Sequence, residues 1–131
     1  MERSFILAGI LFVFLGIFLG AFAAHGLSTA GLEQGKIESF KVGVDYLFYS
    51  GFGMMIIGGL RDRFDFMMKF HFRMILFGTI LFSGSIFILA VAPLIDWELG
   101  KLLGPTTPIG GTMMILGWFS LFVKYLRQIA D

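Results

Sequence analysis

Apolar residues fill four long stretches of the chain, and short polar segments separate these stretches. A helix that crosses a hydrocarbon core of about 30 Å needs roughly 20 residues of this kind. Only helices and closed barrels satisfy their backbone in lipid, and continuous apolar runs exclude the alternation of barrel strands. The pattern therefore predicts an all-α fold, a four-helix transmembrane bundle that forms one integral membrane domain over residues 1–131. The predicted spans are residues 5–24, 42–60, 74–95 and 108–123.

The first apolar stretch also has features of a secretory signal peptide. Arg3 precedes the stretch, and Ala21 and Ala23 resemble a small-residue cleavage site. The stretch is longer than the apolar region of a usual signal peptide. A retained transmembrane helix is therefore the better interpretation.

The segment between the first two spans, residues 26–41, is more ordered than a simple loop. Ser28 and Thr29 are residues that cap helix N-termini. Apolar residues then recur at three- and four-residue spacing, at Ile37, Phe40, Val44 and Leu47. This spacing predicts a short amphipathic helix on the outer surface that leads into the second span.

A weak internal repeat relates the two halves of the chain. A shift of 69 residues aligns Ile6, Leu7, Gly9, Ile17, Phe18, Ala21 and Ala23 with Ile75, Leu76, Gly78, Ile86, Phe87, Ala90 and Ala92. A shift of 59 residues aligns Gly51, Met54, Met55, Ile56 and Gly58 with Gly110, Met113, Met114, Ile115 and Gly117. The repeat predicts two helical hairpins in the same orientation, related by an axis along the membrane normal.

Small residues recur seven positions apart in every span. Two turns of a helix separate such residues, so they line one stripe and allow neighbouring helices to approach closely. The predicted packing residues are Gly9, Gly16, Gly51, Gly58, Gly78, Ser85, Gly110 and Gly117, and Gly20 continues the stripe of the first span.

Composition and charge narrow the class of protein further. The chain is 57% hydrophobic and 15% charged, with a mean hydropathy of +0.88, which is too apolar for a soluble domain. The sequence has no cysteine, which excludes disulfides, thiolate metal sites and a cysteine nucleophile. A net charge of +1 gives no reason to expect nucleic acid as a partner.

The distribution of lysine and arginine predicts the orientation in the membrane. Segments on one side hold seven of these residues: Arg3, Arg61, Arg63, Lys69, Arg73, Lys124 and Arg127. The opposite side holds three: Lys36, Lys41 and Lys101. The positive-inside rule then places both termini in the cytoplasm of a cell inner membrane or plasma membrane. The loop over residues 61–73 interleaves its bases with phenylalanines, and we expect these aromatic residues and His71 to lie at the lipid boundary.

Polar residues gather near the outer boundary. The polar side chains are those of His25, Asp45, Tyr49, Thr106 and Thr107, and the backbone amides of Gly110 and Gly111 complete the group. Thr107 followed by Pro108 is typical of a helix start, which would leave the amides of residues 109–111 free. Those amides could receive the carboxylate of Asp45, or alternatively a ligand or a lipid headgroup. The internal contact is favoured, because buried polar groups normally pair within the protein.

His25 is expected to form a hydrogen bond with a loop carbonyl. No second histidine shares its side of the membrane, so no metal site is predicted there. No cofactor is predicted either, because the glycines lack the spacing of a dinucleotide or phosphate loop.

Three segments carry a resemblance to a known family: GAFAAHGL at residues 20–27, LFSGSIF at residues 81–87, and GPTTPIGG at residues 104–111 with the later Gly117-Trp118. The chain resembles the small membrane proteins catalogued as domain of unknown function 423, which include transmembrane protein 256 and YgdD-like proteins. The resemblance covers nearly the whole chain and implies a small four-span membrane protein, with no activity attached. Relatives often have Tyr-His in the second span where this chain has Tyr49-Ser50, so a role for a histidine at that position does not transfer.

The sequence favours a non-enzymatic accessory or membrane-organising subunit. No nucleophile with a base and no carboxylate pair at a site is visible. The expected partners are membrane lipids and other membrane protein subunits or further copies of the chain. The alternative is a small transporter or channel, whose pore would need several copies lined by Thr79, Ser83, Ser85 or Thr112. A third class of protein, a lipid-modifying enzyme, would need reacting groups near the depth of the headgroups. Only His25 and Asp45 are expected there.

Overall fold

Helices account for almost all of the structure, a computed structural model that describes residues 2–96 and 100–131. The helices are α1 (Glu2–Phe22), α2 (Gln34–Gly59), α3 (Lys69–Val91), the single turn α4 (Gly100–Leu103) and α5 (Thr106–Ala130). A π-helical turn, Ala23–Leu27, extends α1, and 3-10 turns occur at Arg61–Arg63 and Ala92–Ile95. No strand occurs in these ranges, so the predicted all-α fold is confirmed.

Four of the described helices are long and apolar enough to cross a membrane. With their terminal turns they cover Glu2–Leu27, Gln34–Gly59, Lys69–Ile95 and Thr106–Ala130. Each of the four predicted spans falls in one of these helices, except that Leu60 is the residue that ends α2. Large apolar side chains are exposed all along their outer faces, as a lipid environment requires.

The predicted amphipathic segment is the N-terminal part of α2. Ile37 and Phe40 are buried, at 5% and 2% exposure, and the helix continues without a break into the span. The capping prediction for Ser28 and Thr29 is wrong. Thr29 Oγ1 instead lies 3.0 and 2.9 Å from the carbonyl oxygens of His25 and Gly26, so it contacts the last turn of the preceding helical segment.

The long helices pair as two hairpins, α1 with α2 and α3 with α5, and α2 packs against α3 to join them. Glycines allow the close approach within each hairpin. A Cβ on Gly78 would lie 2.8 Å from the backbone N of Met114 and 2.9 Å from the carbonyl O of Gly110. A Cβ on Gly9 would likewise lie 3.1 Å from the backbone N of Met55 and 2.6 Å from the carbonyl O of Gly51.

These contacts correspond under the shifts of the internal repeat, because Gly9, Gly51 and Met55 align with Gly78, Gly110 and Met114. The other end of each hairpin behaves in the same way. A Cβ on Gly58 would meet Phe5 and Ile6, and a Cβ on Gly117 would meet their counterparts Met74 and Ile75. The weak sequence repeat is therefore accompanied by equivalent glycine contacts in the two hairpins. Gly20 is looser, with Val44 at 3.3 Å from a Cβ at that position.

The start of α5 differs from the prediction at Thr107 and Pro108. The helix begins at Thr106 after Pro105, and no side chain caps it. The amide of Ile109 already donates to the carbonyl of Pro105, at 3.3 Å, so it is not free to receive a carboxylate. Thr107 is available for a different contact because the helix starts one residue earlier.

Candidate functional site

Helix α3 carries a column of buried polar side chains that face α2. Thr79 is fully buried, and its Oγ1 lies 2.8 Å from Ser50 Oγ and 2.7 Å from the carbonyl O of Ile75. One turn later, Ser83 Oγ donates to the carbonyl of Gly43 at 2.8 Å. These two contacts join the hairpins through hydrogen bonds in the middle of an apolar interface.

The opposite side of α3 makes comparable contacts with α5. Ser85 Oγ and Thr107 Oγ1 are 2.5 Å apart, and Ser85 also donates to the carbonyl of Phe82. Near the start of α3, His71 Nδ1 lies 2.8 Å from Ser120 Oγ. His71 is only 3% exposed, so the expectation that it lies at the lipid boundary is wrong. Its ring is turned inward between the paired helices.

The polar column is fully satisfied. Among the described residues, every buried side-chain nitrogen or oxygen has a hydrogen-bond partner. In a lipid environment such a bond between helices contributes about 0.6–2 kcal/mol, and a missing partner has no water to replace it. The sequence contained a signal for this column, since Thr79 and Ser83 are hydroxyl residues four apart in an apolar helix. Their partners could not be identified from spacing alone.

A cleft of about 170 Å³ opens between α1 and α3 beside this column. Its walls are apolar side chains of both helices together with Leu47 of α2, and the hydroxyl-bearing residues Thr79 and Ser83 lie among them. Gly84 also lines the cleft, and a Cβ added there would meet no other atom within 4 Å. Both hydroxyls are already engaged, so the cleft presents hydrocarbon to its surroundings.

The outer polar cluster expected from the sequence is divided. Thr107 and Gly110 face α3, whereas Asp45 and Tyr49 are exposed on the outer face of α2. No hydrogen bond joins Asp45 to Thr106, Thr107 or the amides at the start of α5 within the described part of the chain. The predicted internal contact of Asp45 is therefore wrong. The reason is rotational: Val44 turns toward α1 at Gly20, and the next residue on the helix points away from it.

The remaining members of that cluster make few contacts. His25 is exposed, and its ring has no hydrogen-bond partner in residues 2–96 and 100–131, contrary to expectation. Thr106 is half-buried without a side-chain partner in those ranges, and Gly111 lies beside the Phe82 ring. No group of three or more histidine, aspartate or glutamate side chains in those ranges could hold a metal ion.

A second polar feature lies at the other end of the bundle, where Gln128 of α5 holds the loop between α2 and α3. Its Nε2 donates to the carbonyl of Arg63 at 2.8 Å, and its Oε1 accepts from the amide of Asp65 at 2.9 Å. Phe64 and Phe66 of the loop pack inward against the core. A cleft of about 320 Å³ beside this contact includes Lys124 and Arg127 among its lining residues.

Comparisons with known proteins agree on one family. The model of the family described as "Protein of unknown function (DUF423)" matches residues 19–111. A UPF0382 membrane protein of Staphylococcus haemolyticus is 33% identical over 127 residues, 97% of this chain and 98% of the relative. The UPF0382 membrane protein YwdK of Bacillus subtilis is 32% identical over 129 residues, 97% of this chain and 99% of the relative.

The similarity extends beyond bacteria. A UPF0382 membrane protein of Schizosaccharomyces pombe is 30% identical over 109 residues, which are 83% of this chain and 90% of the relative. No solved structure matches the chain significantly. The four long apolar helices and these relatives together show that this multi-pass membrane protein belongs to the DUF423 family.

Proposed function

We propose that the protein is a non-enzymatic membrane subunit that acts through contacts with other helices and with lipid, in an accessory or membrane-organising role. The observation that carries the proposal is the hydrogen bonding of the buried polar side chains. The hydroxyls of α3 are used to hold the protein's own helices together, and the outer surface of the bundle is a broad apolar belt. Such a molecule offers surfaces for association and few free groups for chemistry.

The same groups bear on the alternative of a transporter or channel. Thr79, Ser83 and Ser85 were the candidates for lining a pore, and each is bonded to a backbone carbonyl or to a side chain of a neighbouring helix. Thr112 donates to the carbonyl of Pro108 within its own helix. Opening a polar path along Thr79 and Ser83 would break the contacts that join the two hairpins, and opening it at Ser85 would break a contact within the second hairpin.

The test combines flux and co-purification. We expect vesicles that contain the purified protein to pass protons and monovalent cations no faster than empty vesicles. We also expect detergent extraction of native membranes to recover the tagged chain with a stoichiometric membrane protein or with further copies of itself. A cation flux that Thr79→Val abolishes and Ser39→Ala, at an exposed hydroxyl outside the predicted spans, leaves intact would replace the proposal with transport.

We infer further that both termini lie in the cytoplasm of the inner or plasma membrane. Exposed bases support this orientation at one end of the bundle, where α2 ends, α3 begins and α5 ends. Arg63, Lys69, Lys124 and Arg127 are all exposed there. Positive residues are retained on the cytoplasmic side during insertion.

Single cysteines test this orientation directly, because the natural chain has none. We expect Gln34→Cys, at the start of α2, to react with an impermeant maleimide added to intact cells. Ala130→Cys, at the end of α5, should react only after the membrane is permeabilised. Both positions are exposed, so a lack of reaction reflects the membrane barrier. The reverse pattern of labelling would invert the proposed topology.

A further inference from the structure

The outer face of α2 places polar side chains where lipid is expected. Asp45 is exposed, and Tyr49, one turn further on, is 64% exposed. The Tyr49 ring lies 5.5 Å from the Tyr46 ring, measured between centroids, in a T-shaped arrangement. Neither Asp45 nor Tyr49 has a hydrogen-bond or ion-pair partner elsewhere in the described parts of the molecule.

The depth of these residues makes their exposure costly. At about 1.5 Å per residue, Asp45 lies roughly 21 Å and Tyr49 roughly 15 Å along α2 from Gly59 at its far end. In a hydrocarbon core of about 30 Å that begins at Gly59, Asp45 lies in the outer third and Tyr49 near the middle, so both lie deeper than the outer boundary expected from the sequence. Ionisable and hydroxyl groups at such depths are normally paired or turned toward the protein interior. A partner from another molecule would remove both groups from lipid.

The same face carries the charge that complements Asp45. Lys41 is exposed one turn before Asp45, and Phe52 and Ile56 continue the stripe at 51% and 61% exposure. The five residues Lys41, Asp45, Tyr49, Phe52 and Ile56 are here named the α2 face. A two-fold axis along the membrane normal would set two such faces side by side and parallel. Each Lys41 would then approach the Asp45 of the other copy.

We propose that two copies of the chain associate through the α2 face, held by two reciprocal pairs between Lys41 of one copy and Asp45 of the other. A two-fold interface requires one surface that is complementary to itself, and a base followed by an acid one turn later meets that requirement. Phe52 and Ile56 supply the apolar contact below the pairs. This inference rests on the proposed function, because it names the partner for the helix contacts proposed there.

Charge exchange between two differently tagged copies tests the pairs. Lys41→Glu leaves a chain with two acids on this face, and Asp45→Lys leaves a chain with two bases. We expect each variant to lose most of its co-purification with another copy of itself, because like charges then face each other. Co-expression of the two variants should restore co-purification to the level of the natural chain.

The mixed pair separates this interface from a contact within one helix. In neither variant can residues 41 and 45 of the same chain attract each other, so recovery requires attraction between copies. A mixed pair that associates no better than either variant alone would overturn the proposal. The helical content of each variant, measured by circular dichroism in detergent, shows that the chain is folded.

A milder substitution tests the apolar part of the same interface in native membranes. Phe52→Cys should give a disulfide-linked dimer on oxidation with copper phenanthroline, whereas Ile115→Cys, 68% exposed on α5, should not. Equal cross-linking at both positions, or none at position 52, would count against the α2 face.

If a different membrane protein is recovered instead, the homodimer fails and the proposed contact role survives. A Thr79-dependent flux would remove the contact role whatever the cross-linking shows.

Discussion

Replacement of Gly78 by leucine should destabilise the protein by at least about 1–3 kcal/mol, the usual cost of overpacking a close contact. Even the first carbon of the new side chain would lie 2.8 Å from the Met114 backbone and 2.9 Å from the Gly110 carbonyl. Backbone atoms of a packed helix cannot move aside as a flexible side chain can. The two helices of the second hairpin would therefore have to separate, which would also strain the hydrogen bond between Ser85 and Thr107.

Gly84→Leu is the matched control, because it makes the same change six residues later on the same helix. A Cβ at Gly84 meets no atom within 4 Å, and the side chain has the cleft between α1 and α3 to enter. We expect little or no loss of stability there. Thermal unfolding in one detergent, followed by circular dichroism, measures both variants. Equal losses would mean that the close approach of α3 and α5 contributes little to stability.

Phe40→Ala is expected to destabilise the protein by about 3–5 kcal/mol, the usual cost of removing a buried phenylalanine ring. Phe40 is 2% exposed and packs its ring 4.7 Å from Phe87 and 6.2 Å from Phe22, measured between centroids. These contacts join the first turns of α2 to the ends of α1 and α3. Their loss leaves a cavity, because three helices cannot close around the vacated space together.

Phe77→Ala provides the comparison for Phe40→Ala, since it removes the same atoms from a residue that is 50% exposed on α3. Detergent or lipid fills the space left at Phe77, so we expect a loss well below that at Phe40. Chemical denaturation of both variants in the same micelle gives the difference. Similar losses would show that the packing of Phe40 against Phe22 and Phe87 is not a rigid part of the fold.

The sequence by itself determined the four spans, the class of fold and the pairing of the helices into two equivalent hairpins. The physical reason is that lipid imposes a length on each helix and requires its backbone to be satisfied internally. Both requirements determine the length and the spacing of the apolar stretches along the chain, which the sequence shows directly. The glycine spacing is also one-dimensional, because residues seven apart return to one side of a helix whatever lies opposite. Gly9 and Gly78 accordingly lie at equivalent close contacts.

Only the tertiary structure decided which polar residues face inward. Spacing places Asp45 and Tyr49 on one side of α2, but it does not say whether that side meets another helix or lipid. Rotation of a helix about its axis is set by all of its neighbours at once, and each residue turns the direction by about 100°. Thus Ser50 meets Thr79 in the interior, although the adjacent Tyr49 is exposed, and His71 is buried against Ser120. The sequence identified residues able to form polar contacts, and the packing of the helices selected the pairs.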